Sequence, residues 1–226
     1  MVAAGAPPIP SPIPSQIDEK TIGEDVPLLE GIRTTRAIRR LRPDRVPPAL
    51  IRKVVEAGTF APSGGNRQPW SFIAVTDPAT KSAIALPYRK IFSSYIAPAL
   101  EAAKAPDYPE HKRRNLEGSV YLAEHMAEVP VLLFVAGWTR RGAEQTQALF
   151  PAIQNVLLAC RAVGLGACLT TLHTAFREEV DSILGLPPSR PSAAMIPIGW
   201  PLIPYKRPVR GNVDDCLYWE RFEDRD

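Results

Sequence analysis

Residues 61–70 read Ala61-Pro62-Ser63-Gly64-Gly65-Asn66-Arg67-Gln68-Pro69-Trp70. Two prolines, two glycines, a serine and an asparagine in ten positions make turns and interrupt regular structure. On the N-terminal side, Pro47-Pro48 suits the first turn of a helix. Ile51, Val54, Val55 and Gly58 then follow at helical spacing as one apolar stripe. On the C-terminal side, Ser71-Phe72-Ile73-Ala74-Val75-Thr76 is a short β-rich run stopped by Asp77-Pro78. Helix, polar loop and strand thus follow one another within thirty residues.

The alternation continues outward. Leu28–Arg40 reads as a mixed, arginine-rich helical stretch. Lys81–Lys104 and Lys112–Val129 read as helices split by Pro106-Asp107-Tyr108-Pro109. Val131–Ala136 is a continuous apolar run between Pro130 and Gly137, as a buried central strand would be. Ala148–Val163 carries Leu149, Ile153, Val156, Leu157, Cys160 and Val163 at helical spacing, with Gln154, Asn155 and Arg161 its main polar breaks. Gly166–Thr171 is a strand, Phe176–Leu184 a helix stopped by Gly185, and Ala193–Gly199 the last core strand. The class expected is α+β, one sheet with helices on its faces. Residues 27–226 form its single domain.

Both ends stand apart. Pro7, Pro8, Pro10, Pro12 and Pro14 favour an extended chain without backbone donors. Residues 1–26 are therefore expected as a disordered or surface-draped arm. Residues 201–226 form a proline-punctuated tail ending in Leu217, Tyr218, Trp219 and Phe222. Aromatic side chains are costly to leave in water, so the tail is expected to pack on a second subunit.

The net charge of +3, from 27 Lys+Arg and 24 Asp+Glu, is too small to argue for nucleic acid. Basic residues do cluster at Arg33–Arg45, Lys112–Arg114 and Lys206–Arg210. Three cysteines (Cys160, Cys168, Cys216), none closely paired, argue against a disulfide framework or a zinc site. No signal peptide and no apolar run of membrane-spanning length is visible. The expectation is a cytoplasmic, soluble protein with no membrane or nucleic-acid partner.

Common catalytic sets are missing. His111, His125 and His173 form no metal-spaced pair, and Ser63 lacks a G-x-S-x-G elbow. Gly164-Leu165-Gly166 follows a helix and precedes a strand, the wrong order for a dinucleotide turn. What remains is a set of anion and amide binders. Arg33, Arg36, Arg39 and Arg40 crowd one segment, where a helix would put Arg36 and Arg39 or Arg40 on one face and a bound anion would relieve their repulsion. Ser63, Asn66 and Gln68 offer hydroxyl and amide groups in a glycine-loosened loop. Polar clamps without a nucleophile suit a cofactor enzyme, since the cofactor brings the chemistry.

Four segments, in order, resemble the nitroreductase family. They are Thr34–Pro47, with its Arg36-Ala37-Ile38-Arg39 and Pro43-Asp44-Arg45-Val46-Pro47; Ala61–Trp70; Ala162–Ala167; and Ile196–Pro201 with Lys206 and Arg207 behind it. The loop ending Gln68-Pro69-Trp70 is the most specific. The resemblance covers residues 28–210 and implies an FMN-dependent homodimer with flavin at the interface.

By resemblance, Thr35 and Ala37 stand where the family usually has Arg and Ser. Arg36 would hold the FMN phosphate or ribityl chain. Arg39 would approach the pyrimidine edge, where a cation stabilises the charge that develops on reduction. With an arginine lost at Thr35, Lys206 and Arg207 could compensate. Pro62, Ser63, Gly64, Asn66 and Gln68 would reach the flavin of the other subunit, and Leu169-Thr170-Thr171 would pass the hydride-accepting N5. Thr170 and Thr171 also suit a plain strand end, and Ser63 and Asn66 a plain turn.

The activity implied is ping-pong hydride transfer from NADH or NADPH through FMN to a small-molecule acceptor such as a nitroaromatic or quinone. Reductive dehalogenation on the same fold, and flavin binding without efficient turnover, are the alternatives. The first would bring a Glu/Tyr/Lys clamp, for which residues 88–114 offer Tyr95, Glu101, Lys104 and Tyr108. The lid residues within 88–128 are not assigned by the sequence.

Overall fold

The structure is a computed structural model that describes residues 12–14, 17–18, 21–140, 143–144 and 146–222. Four strands form one antiparallel sheet in the order β1 (Trp70–Val75), β2 (Val131–Gly137), β6 (Ser192–Gly199), β5 (Gly166–Ala167). A small hairpin, β3 (Thr139–Arg140) with β4 (Ala143–Glu144), follows β2. The class is α+β, as expected.

Helices cover both faces of the sheet, and β2 shows why. All seven of its residues are buried, and successive side chains point to opposite faces. Leu132 and Phe134 enter a core cluster with α3 (Pro78–Ala102), α4 (Glu110–Glu124) and α6 (Arg177–Ile183). Val131, Leu133 and Val135 enter another with α2 (Pro48–Thr59) and α5 (Phe150–Ala162). The near-continuous apolar reading of residues 131–136 follows from this double burial.

Helix boundaries follow local chemistry. Asp77 caps α3 by accepting the Thr80 backbone N–H at 2.8 Å, satisfying one orphan donor. Pro48 sits in the first turn of α2 and Pro151 in that of α5. Ala152, Ile153, Val156 and Cys160 form the buried stripe of α5. Gly58 of α2 lies where an added Cβ would stand 2.8 Å from Val156 Cγ2, so the two helices meet closely there. The helix expected over 112–129 ends at Glu124, and a 3-10 turn at Met126–Glu128 leads into β2.

One expectation is corrected. The helix read over Leu28–Arg40 is only α1 (Leu28–Thr34), and Thr35 is already extended at φ −65°, ψ 123°. The backbone beyond it is claimed by distant partners. The Ile38 N–H donates to the Ala167 carbonyl at 2.9 Å, Arg42 donates to Trp200 at 2.8 Å, and Arg40 accepts from Leu202 at 2.9 Å. Residues 38–42 thereby cover the β5 end of the sheet, bury Ile38 completely and satisfy groups an edge strand would leave open. Arg36, Arg39 and Arg40 share no helical face.

Residues 1–11, 15–16 and 19–20 of the expected arm lie outside the described residues. Of the rest, Ile13, Ile17 and Ile22 pack half-buried against the α2–α5 cluster.

Candidate functional site

A cavity of about 300 Å³ opens where the end of α1, the extended segment at Thr35, Arg36 and Ala37, α5 and the start of the tail converge. Aliphatic Ile32, Leu157, Leu165, Ala167 and Leu169 line part of it, and Gln154, Arg161, Tyr205 and Arg210 bring polar groups. Among the described residues, three guanidinium groups line it, those of Arg36, Arg161 and Arg210, and no carboxylate does.

Arg36 Nε is buried without a hydrogen-bond partner. Burial pulls the Arg36 pKa down from its ordinary value. An unpaired donor on a cation is costly to bury, and an anion would remove that cost. The residues present therefore fit a phosphorylated ligand with a flat, partly apolar body.

Thr35 lines the cavity, but its hydroxyl and its backbone N–H both donate to the Gly31 carbonyl, at 2.7 and 2.9 Å. Neither remains to contact an anion. Lys206 and Arg207 do not line the cavity, and Arg207 pairs with Glu30 of α1 at 2.9 Å on the surface.

Arg39 leaves the other side of its segment. It lies across α4, where a methyl group added to Gly118 would meet its Cβ and Cδ at 3.8 Å. Burial raises the Cys168 thiol pKa, and the Arg39 charge opposes that shift. The Tyr88 phenol is also pushed up, mainly by burial, while its hydrogen bond to Thr170 pulls the other way. Arg39, Cys168, Tyr88 and Thr170 form a polar group that does not itself line this cavity.

Leu169 lines the cavity. Thr170 exchanges both backbone hydrogen bonds with Met195 at 2.9 Å, and its hydroxyl meets Tyr88 at 3.1 Å and the Leu172 N–H at 3.3 Å. Thr171 is exposed and its carbonyl starts the following turn.

The 62–68 loop lies away from its own chain's cavity and is largely exposed. Gly65, Asn66 and Gln68 all adopt left-handed backbone, at φ 62°, 52° and 49°. The Gln68 N–H donates to Ser63 Oγ at 3.0 Å and the Gln68 amide to Asn66 Oδ1 at 3.2 Å, which holds the loop in that shape. A non-glycine side chain in this region costs roughly 1 kcal/mol or more, and such strain gathers where a loop must present groups to a ligand.

A second, more open cavity of about 500 Å³ lies between α3 and α4 over Leu100, Leu116 and Val120. Arg40 reaches its edge and stacks on the Tyr121 ring at 4.7 Å. Of the possible halotyrosine clamp, Glu101 and Lys104 pair with each other on the surface and Tyr95 is exposed.

Gln154, Arg161 and Tyr205 were not among the residues expected here, and Arg210 entered only as part of the Lys206–Arg210 basic cluster. A further signal existed for two. Gln154 and Arg161 are seven apart on a mostly apolar helix, hence on one face. No helix among the described residues is long and apolar enough to cross a membrane. Among the described residues no cluster of three or more His, Cys, Asp or Glu is arranged for a metal.

Comparison with known proteins identifies the family and the fold. The model of the Nitroreductase family matches residues 32–200. A Thermus thermophilus protein described as an NADH dehydrogenase is 31% identical over 172 residues, covering 74% of this chain and 82% of that protein. Oxidised iodotyrosine deiodinase bound to FMN and 3-iodo-L-tyrosine matches with a TM-score of 0.70 at 21% identity, over 87% of this chain and all of that one. A nitroreductase with bound FMN from Bacteroides fragilis NCTC 9343 matches with a TM-score of 0.59 at 22% identity, over 80% of this chain and 94% of that one.

Proposed function

The chain belongs to the nitroreductase family, and from that premise we propose that it is an FMN-dependent oxidoreductase that works as a homodimer in the cytoplasm. The observation that carries this reading is the cavity with three arginines, no carboxylate and an unpaired buried Arg36 Nε. FMN, when bound, supplies hydride acceptance from NADH or NADPH and hydride delivery to an oxidised acceptor such as a nitroaromatic or quinone.

The chain's own residues bind and orient. Arg36 holds the phosphate end, with Thr35 and Ala37 beside it. Arg39 sets the charge near the pyrimidine edge, while the backbone at Leu169, Thr170 and Thr171 borders the reactive centre. Pro62, Ser63, Gly64, Asn66 and Gln68 serve the partner's flavin, which accounts for an ordered polar loop remote from its own cavity. The tail's cationic share falls to Arg210, which lines the cavity, in place of Lys206 and Arg207. The flavin-binding domain in this reading is residues 27–226, with 1–26 an accessory arm.

The test is spectroscopic. Purified protein should be yellow or become so with one FMN per chain, bleach on adding NADH or NADPH, and regain colour with a nitroaromatic or quinone. Colourless protein that cannot be loaded with FMN overturns the reading. Flavin that neither nucleotide bleaches would make the chain a binding protein. Recovery of colour with halotyrosines alone would make it a dehalogenase.

A further inference from the structure

We propose that Arg161 of α5 is a cofactor-binding residue that grips the FMN phosphate, replacing the cation that the chain lacks at Thr35. The inference rests on the flavin reading above and adds a residue to it.

A phosphomonoester near neutral pH carries up to two charges and accepts hydrogen bonds without donating them. Arg36 alone leaves part of that charge unmatched. Both donors of Thr35 are committed to the Gly31 carbonyl, and Arg207 is paired with Glu30. Arg210 is exposed and donates to the neighbouring Val209 carbonyl at 3.0 Å.

Arg161 is placed differently. Its Nε donates to Thr34 Oγ1 at 2.8 Å, and that hydroxyl donates on to the Glu30 carbonyl at 2.7 Å. Its guanidinium lies over the Tyr205 ring, 4.4 Å from the centroid. Tyr205 is itself fixed by a hydrogen bond from its hydroxyl to the Leu165 carbonyl. α1, α5 and the tail therefore hold one planar group, with Nε satisfied and the two terminal nitrogens left for an oxyanion. An arginine already fixed in place loses less side-chain freedom on binding than a free one. Gln154, about two turns away on the same face of α5, lines the same cavity and adds an amide.

Binding of FMN and of riboflavin, which lacks the phosphate, separates this role from a structural one. Apoprotein of the wild type, Arg161→Gln and Arg161→Lys would be titrated with each flavin by fluorescence quenching, with thermal melts alongside. Arg161→Gln should weaken FMN binding by about 10- to 100-fold, the effect of losing a charged hydrogen bond. Riboflavin binding should change by less than about threefold on the same reasoning. Arg161→Lys keeps the charge and should fall between on FMN alone, which preserves the test if the glutamine variant folds poorly. Equal weakening of both flavins would reduce Arg161 to a support for Tyr205 and overturn the proposal, as would unchanged FMN affinity. Wild-type protein that binds neither flavin would overturn the flavin reading itself.

Discussion

Arg36 and Arg39 leave one extended segment on opposite sides: Arg36 faces the three-arginine cavity, and Arg39 lies over Gly118 toward Cys168 and Tyr88. On a helix, residues three apart would share a face. On an extended chain an odd separation places them on opposite faces. The repulsion expected between crowded cations is thus relieved by distance, and the two side chains are free for different tasks.

Gly164 and Gly166 belong to one short motif but are required for different reasons. A Cβ on Gly166 would stand 2.7 Å from both Ile38 Cγ2 and Leu41 Cδ2, against the segment that carries Arg36 and Arg39. Gly164 has open space around it and a φ of +80°. Gly166→Ala should cost about 1–3 kcal/mol through overpacking and also weaken flavin retention, because relief requires moving residues 36–41. Gly164→Ala should cost about 1–2 kcal/mol of backbone strain and leave flavin affinity intact in the folded protein. Urea midpoints with FMN isotherms check this pair. A Gly166→Ala variant with wild-type stability and affinity would show that the 36–41 segment is not held as described.

His173 makes the fold sensitive to acid. It is fully buried and packs edge-on against Phe134 at 5.5 Å. Burial, with Arg177 nearby, lowers its pKa from 6.5 to about 4, against the opposing pull of the Ser192 backbone. The unfolded chain therefore binds the proton first as pH falls. The stability tied to neutral His173 is complete above pH 6.5 and is lost progressively toward pH 4, by up to about 1.4 kcal/mol per pH unit. His173→Leu should flatten this contribution. Urea midpoints at pH 7 and pH 5 should differ less in the variant than in the wild type, and equal differences would refute the assignment.

The tail leaves Trp219 54% and Phe222 78% exposed, with Phe222 stacked on Tyr218 at 4.4 Å. Val213, Leu217 and the α1 residues Leu28 and Leu29 are exposed as well. Apolar surface of this extent is expected to be covered by another molecule, which the proposed homodimer provides. Removing residues 212–226 should give aggregates or flavin-free monomers by sedimentation. A yellow, active monomer would contradict the dimer.

What was legible in the sequence was what local chemistry decides. The Pro/Gly loop at 61–70, the proline start of α2 and the apolar runs of β2 and β6 need no distant partner to be recognised. The extended run at 35–42 was not legible, because its hydrogen bonds go to Ala167, Trp200 and Leu202, and an arginine-rich stretch after a helix continues it by propensity alone. Arg161 was visible as a polar break in an apolar helix, but Thr34 and Tyr205, which orient it, lie far away in the chain. Residue spacing in the tail likewise could not show that Arg210 faces the cavity while Arg207 turns to Glu30. For Arg161 and for the tail, the element was readable and the direction of a side chain was not.

The opposed placement of Arg36 and Arg39 predicts separable effects on affinity and potential. A phosphate contact binds oxidised and reduced flavin about equally, so its loss weakens retention without changing the redox chemistry much. A charge near the pyrimidine edge favours the reduced form, and only such differential binding changes driving force and rate. Arg36→Ala should weaken FMN binding by roughly 1.5–3 kcal/mol, with a near-normal midpoint potential once saturated. Arg39→Ala should lower the midpoint potential and slow reduction by NAD(P)H even at saturating FMN. Because Arg39 also packs over Gly118, Arg39→Lys is the control: it keeps the charge and should recover most of the potential. A redox titration of the three variants beside binding isotherms decides the matter. Equal potentials throughout would remove the electrostatic role from Arg39 while leaving the family and the phosphate site untouched.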